Sequence, residues 1–178
     1  MASNFTDFVS GAVLTASQLN GVLDNFADVA IFNESQASGT AGGSSTTAYK
    51  KRTLNTTVLN NITGCSIASS VVTLATAGTY YFRGSANAYS CGSVKSKIRN
   101  TTASTDTAIG LNVNLGAESA GSPTQTASVC EGVITITAST NFELQSRETD
   151  ARATNGLGAN LNTGISEVYS TLYIRRIA

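Results

Sequence analysis

Histidine and tryptophan are absent from this chain, and proline occurs once. Without an imidazole the commonest general base is missing, and neither a Ser-His-Asp nor a Cys-His nucleophile can be assembled. The same absence leaves the three cysteines, Cys65, Cys91 and Cys130, without a histidine to complete a zinc site. They are odd in number, widely spaced and form no Cys-x-x-Cys pair. Their expected state is buried and reduced, as small hydrophobes; one disulfide stays open for a protein that matures outside a cell. Charge is also scarce. Only 12% of residues carry it, and Lys plus Arg (11) cancel Asp plus Glu (11). A nucleic-acid partner requires a clustered excess of cations. The small groups Lys50-Lys51-Arg52 and Lys95, Lys97, Arg99 read instead as solvated strand faces. No stretch approaches the roughly 20 apolar residues of a membrane span. The opening MASNFTDFVSGAVLTASQLN lacks a basic start and carries Asp7 within its apolar part, so it does not read as a signal peptide.

Serine, threonine, asparagine and 16 glycines are plentiful. This is the composition of a β-protein with many turns and hydroxyl-bearing faces. Three zones follow along the chain. In residues 1–28, Thr15-Ala16-Ser17-Gln18 has the form of a capping box. After it, Leu19, Val22, Leu23 and Phe26 recur at helical spacing, predicting a helix over about 16–27. Before it, Phe5, Phe8, Val9, Val13 and Leu14 decorate an irregular segment. So short a helix is marginal alone in water. Its stripe must be buried against its own domain, a sister subunit or another protein. The second zone starts with a predicted strand, VAIFNES, which closes an N-terminal arm at residue 35. The Gly/Ser/Thr run of 36–47 then reads as a flexible connector.

From residue 48 to 178 the chain reads as strand after strand. YYFRGSANAY places Tyr80, Phe82, Ala86 and Ala88 on one face. VKSKIRN alternates Val94, Ser96 and Ile98 inward with Lys95, Lys97 and Arg99 outward. AIGLNVNLG (108–116) reads as one alternating strand. TASVCEGVITITAS puts Cys130, Ile134 and Ile136 on one side, and FELQSRE turns Phe142 and Leu144 inward. In the last strand, EVYSTLYIRRI, the even positions Val168, Leu172 and Ile174 suit a core while Tyr169, Tyr173 and Arg175 line the other face. Eight to ten short strands in about 130 residues predict an all-β antiparallel jelly-roll sandwich. The single proline, Pro123, falls in the loop AGSPTQ.

The run RTLN (52–55), then Ile67, LATAGTYYFRGSA (74–86) and KSKIRN (95–100), resembles C1q/tumour-necrosis-factor-like jelly rolls, most of all those of bacteriophage virion proteins. SVCEGVITI, FELQSRE and GLGANLNTGISEVYSTLYIRRI fit the same order, so the resemblance covers residues 48–178. It implies a jelly roll that assembles as a homotrimer. Tyr81, Tyr169 and Tyr173, opposite the predicted core residues, are then expected at the trimer interface. Arg52, available for a carboxylate at a subunit boundary, and Arg175 join them, and Leu54 points inward. No collagen-like or coiled-coil stalk is present, which favours a short knob over a full tail fibre.

The expectation is therefore a structural protein on the particle surface of a bacteriophage virion, made in the bacterial host cytoplasm and not an enzyme. Capsid decoration, as a cement protein or head fibre, is the first reading. Phe5, Phe8, Val9, Leu14, Leu19, Val22, Leu23 and Phe26 would dock onto a capsid or tail protein, with avidity from three arms. The alternative is a tail-fibre or baseplate component that binds a host receptor, glycan or protein, through the loops around Asn114–Gln125 and Asp150–Gly164. Paired carboxylates for glycoside cleavage could come only from Glu131, Glu143, Glu148, Asp150 and Glu167, and Glu131 and Glu143 fall on outward strand positions. The Gly-rich GTAGGSS and NGLGANLNTG lack the lysine of a phosphate loop. Only RETDAR (147–152) approaches a calcium loop. No cofactor and no metal is expected.

Overall fold

The computed structural model describes residues 28–117 and 124–177, together with Val13, Thr15 and Ala16. Residues 17–27 of the helix predicted over 16–27, and Pro123, lie outside the described residues. Twelve strands form among those that are described: β1 (Val29–Gln36), β2 (Lys50–Lys51), β3 (Thr56–Asn60), β4 (Cys65–Ala68), β5 (Val71–Leu74), β6 (Gly78–Tyr89), β7 (Cys91–Asn100), β8 (Thr105–Ile109), β9 (Val113–Ala117), β10 (Gln125–Ile136), β11 (Thr140–Glu148) and β12 (Glu167–Arg176). All pair antiparallel. One sheet runs β10-β6-β12-β1-β3; the other runs β4-β5-β11-β7-β8, with β2 added on β11 and β9 on β7.

Period-two alternation decides which face each strand buries. Tyr80, Phe82, Ala86 and Ala88 of β6 are fully buried, as are Phe142 and Leu144 of β11, Ile98 of β7 and Phe32 of β1. These inner faces meet in one main core, where the Phe82 and Phe142 rings lie 4.8 Å apart across the two sheets, while Ala88 packs with Cys91 and Val94 in a smaller cluster. Burying one such ring stabilises the fold by roughly 1.5–3 kcal/mol.

The structure departs from the sequence reading in four places. First, β1 is no part of a separate arm. It lies between β12 and β3, pairing Phe32 with Leu172 and Thr57, so the roll begins at Val29. Second, the Gly/Ser/Thr run is bound down along its second half. The Gly42, Gly43 and Ser45 amides each donate 2.9 Å hydrogen bonds to the carbonyls of Gly158, Thr154 and Arg152, and Leu157 N–H returns one to Gly43. Gly42 is required there, because a Cβ would stand 2.9 Å from the Leu157 backbone and 3.0 Å from the Tyr169 ring. Third, the run 108–116 is split into β8 and β9. Between them Gly110 N–H donates to Ser96 O of β7 and Leu111 N–H to Val129 O of β10, so the chain lifts off the β7 ladder before β9 rejoins it. Fourth, the alternation of β12 breaks. Glu34 faces Ser170 while Ser35 faces Val168, a bulge that leaves Tyr169 unmatched. Val168 is therefore exposed and Tyr169 buried, the reverse of the expected order.

The roll has two distinct ends. Asp28 and Ile177 lie together at the entry pole, where Arg176 N–H donates to Asp28 O and Ile177 N–H to Thr79 O. At the opposite loop pole, Gln36 meets Glu167 and Tyr89 meets Gln125. Segment 150–165 sits there too, held to the strand ends by hydrogen bonds of Tyr89 to Gly156 and of Asp150 to Cys91.

Candidate assembly surface

Arg52 is the residue most displaced from its expected role. In KKRTLNTT the break after β2 carries both Arg52 and Leu54 inward, with 1% and 3% of their surface exposed. The guanidinium Nε donates to Glu34 Oε2 at 2.7 Å, and Nη2 lies 2.7 Å from the same oxygen. Nη1 donates to Asn87 O and Ser146 Oγ, and Nη2 to Leu157 O and Tyr169 O. Glu34 Oε2 also accepts from Ser170 Oγ at 2.7 Å. One cation thus ties β1, β6, β11, β12 and segment 150–165 together within a single subunit. The planar fork suits this work, because it satisfies several acceptors at fixed angles. The carboxylate expected across a subunit boundary is the chain's own Glu34.

Tyr169 is also internal. Its hydroxyl donates to Thr40 O at 2.7 Å, and burial, reinforced by the Glu167 and Glu34 charges, pushes its phenol up to about 12. The ring packs on Gly158, where a Cβ would overlap it and where the φ of +145° disfavours any side chain.

The outer face of the β1 sheet holds the remaining predicted interface residues. Tyr81 of β6 and Tyr173 of β12 meet edge to face, ring centroids 6.3 Å apart. The ladder registers Tyr173 with Ile31 on one side and Arg83 on the other, and Tyr81 with Arg175 and Val133. Arg83 pairs with Glu131 at 3.1 Å on the exposed rim. Burial and the Glu131 carboxylate raise the Tyr81 phenol. A depression of about 370 Å³ runs between Ile31, Arg83, Ser85, Val129, Thr171 and Tyr173. Beside it, 56% of Val133 and 38% of Leu59 are exposed. Aromatic and aliphatic side chains with one rim ion pair form a surface suited to protein contact.

The outer face of the β7 sheet differs in kind. Lys51 pairs with Glu143, while Lys97 and Arg99 share Asp106 at 3.0 and 2.9 Å. Burial raises the Asp106 carboxyl, but hydrogen bonds and charges from Lys97 and Arg99 outweigh it and hold the group low. This face is charged, but the solvated strand expected from KSKIRN holds only in part, because Lys97 is buried between Asp106 and the Tyr49 ring. Among the described residues no group of three or more Cys, Asp or Glu side chains is placed to hold a metal ion, and no helix is long and apolar enough to cross a membrane.

Of the expected interface set, Tyr81 and Tyr173 come together, Arg175 lies half-buried on the same sheet, and Arg52 and Tyr169 lie inside the subunit. The expected anchoring residues Phe5, Phe8, Val9, Leu14, Leu19, Val22, Leu23 and Phe26 lie outside the described residues. Sequence reading missed Glu34 and Ser170 and weighed Glu148 only as a catalytic carboxylate, whereas all three are buried polar groups. One signal was available: Arg52 has the same parity as Leu54, so turning Leu54 inward turns Arg52 inward too. The three cysteines are free and buried, and burial pushes the Cys65 and Cys91 thiols up to about 11.

No protein-family model and no curated protein matches the chain. Solved structures do. Murine APRIL superposes with a TM-score of 0.52 at 8% identity, over 83% of this chain and 97% of that one. The globular domain of zebrafish complement 1qA gives 0.51 at 12% identity, over 84% and 95%. The vertex protein P5 of phage PRD1 gives 0.50 at 14% identity, over 85% and 98%. With two antiparallel sheets sharing one core and these neighbours in shape, the chain folds as a C1q/TNF-like jelly roll.

Proposed function

We propose that this protein is a structural component of a bacteriophage particle surface, a trimeric knob that assembles through the outer face of the β1 sheet and is held by its N-terminal segment. The observation that carries the reading is the asymmetry of the two outer faces. Among the described residues, Tyr81, Tyr173, Ile31, Val129, Val133 and Leu59 crowd one beside the single Arg83–Glu131 pair; three ion pairs with one exposed aliphatic, Ile109, mark the other. The likeness to a phage vertex protein supports the virion setting. The two poles support the mode of attachment, because Asp28, where the roll begins, lies at the end opposite segment 150–165. Capsid decoration, as cement or head fibre, is the first assignment.

A second reading is a tail-fibre or baseplate module that binds a host receptor. It is favoured by the ordered loop pole, where Glu167 Oε1 accepts the Leu161 and Asn162 amides at 3.0 and 2.9 Å while Leu161 and Ile165 stay exposed. Copy number in purified particles, counted by quantitative mass spectrometry against the major capsid protein, separates the two. Hundreds of copies mean decoration; a few tens, in a multiple of three, mean tail or vertex; none refutes a virion role. Assembly has its own test. Sedimentation equilibrium should show a trimer that Tyr81→Ser/Tyr173→Ser converts to folded monomer. A wild-type monomer, or a trimer unmoved by the double substitution, refutes the assembly face.

A further inference from the structure

The outward cations of the β7 sheet fall into two groups. Lys51, Lys97 and Arg99 each have a carboxylate partner. Lys95 and Arg147 have none among the described residues, although they stand directly opposite each other on β7 and β11. Like charges at facing ladder positions on one side of a sheet repel, and such pairs destabilise it. The two cations flank a groove of about 370 Å³ that Tyr49, Ser93, Asn112, Thr149 and the fully buried Glu148 also line. The groove's walls are fixed. Lys97 Nζ sits 4.0 Å from the centroid of the Tyr49 ring, and Ser93 N–H donates to Thr149 Oγ1 at 2.8 Å.

We propose that this groove binds an acidic saccharide. Its carboxylate, sulfate or phosphate lies between Lys95 and Arg147, and its ring hydroxyls meet the polar groups of Tyr49, Ser93 and Asn112. An oxyanion turns the repelling pair into an attractive site, and the guanidinium fork of Arg147 can grip it with two hydrogen bonds. The rest of the lining chooses the carrier. A protein partner would need an exposed apolar anchor, and here the one aliphatic lining residue, Val94, is 1% exposed. A nucleic acid would need a track of cations along successive phosphates, and two do not make one. Hydroxyl and amide groups beside one phenol ring suit a sugar. The groove opens at the loop-pole end of the β7 sheet, away from the outer face of the β1 sheet, so the site stands whether or not that face assembles.

The test titrates the full chain with tetragalacturonic acid, with its methyl ester as neutral counterpart and with a heparin tetrasaccharide, by isothermal titration calorimetry. At least one acidic probe should bind, and the ester should bind at least tenfold more weakly. Lys95→Gln/Arg147→Gln should lose at least tenfold in affinity, and Lys51→Gln should change little. The double variant should melt at or above the wild-type temperature, since removing the repulsion costs the fold nothing. Binding of heparin alone assigns sulfate as the preferred oxyanion; binding of galacturonate alone assigns carboxylate. The proposal is overturned if neither acidic probe binds, if the ester binds equally, or if the double variant binds as wild type does. It is equally overturned if inorganic phosphate displaces the saccharide at matched concentration, which would reduce the groove to a bare anion site.

Discussion

Replacing Arg52 with methionine keeps the apolar stem and removes the charge. It leaves the Glu34 carboxylate, 1% exposed, with the Ser170 hydroxyl as its remaining side-chain partner. Breaking a buried ion pair from one side costs about 3–5 kcal/mol. For a chain of this size each kcal/mol moves the melting temperature by roughly 2–4 °C, so the drop should be roughly 6–20 °C. The double variant Glu34→Leu/Arg52→Met tests where that cost arises. It removes the stranded charge and should recover part of the loss. It cannot recover all, because the carbonyls of Asn87, Leu157 and Tyr169 still lack the donors that Arg52 supplied. Thermal and urea melts followed by circular dichroism, at two protein concentrations, give the answer. A residue tying strands within one subunit produces the same drop at both; an intersubunit contact produces a drop that grows on dilution. A loss under about 1 kcal/mol, or one seen only in the dilute sample, refutes the structural role.

Two further predictions follow from buried titratable groups. Burial lifts the Glu148 carboxyl above its ordinary value of 4.5, against the opposing pull of the Ser146 hydroxyl, the Thr46 amide and the Arg52 and Lys50 charges. The folded state therefore holds this proton more tightly than the unfolded chain does. That contribution is complete below the ordinary value and is lost as pH rises through the raised one. Glu148→Gln should melt with wild type at pH 4 and above it at pH 8, and a lower melting point at pH 8 would reverse the sign. The raised thiols of Cys65, Cys91 and Cys130 are poor thiolate sources. A thiol reagent at pH 8 should label none of the three in the folded protein and all three in denaturant, and rapid labelling of any one while folded would contradict its burial.

Much of the roll was legible because period two runs unbroken through β6 and β11 and holds for Val94, Ser96 and Ile98 of β7, with the buried Lys97 departing from it. Tyr80, Phe82, Ile98, Phe142 and Leu144 were all turned inward by counting. The same count failed at Tyr169, because the bulge opposite Glu34 and Ser35 inserts a residue that no local pattern announces. It failed again at Gly110, where the buried Ser96 and Ser128 hydroxyls, 2.9 Å apart, stand where the chain leaves its strand. The Arg52–Glu34 pair joins residues 18 apart through the register of β1 with β12 and the break after β2, so it exists only once the sheets are placed. Lys95 and Arg147 were each readable as outward; that they face one another is a fact of register alone.

The position of β1 has a mechanical consequence. Its start and the end of β12 emerge side by side, as antiparallel neighbours. A force applied between the two chain ends would peel this pair open one hydrogen bond after another. A force between the N-terminal segment and the loop pole would instead pull β1 along its own length. It would then strain its bonds to β12 and β3 all at once, since ladder bonds lie perpendicular to the strands. On the proposed attachment through the segment before Asp28, a load at the far end would act in that second, stronger direction.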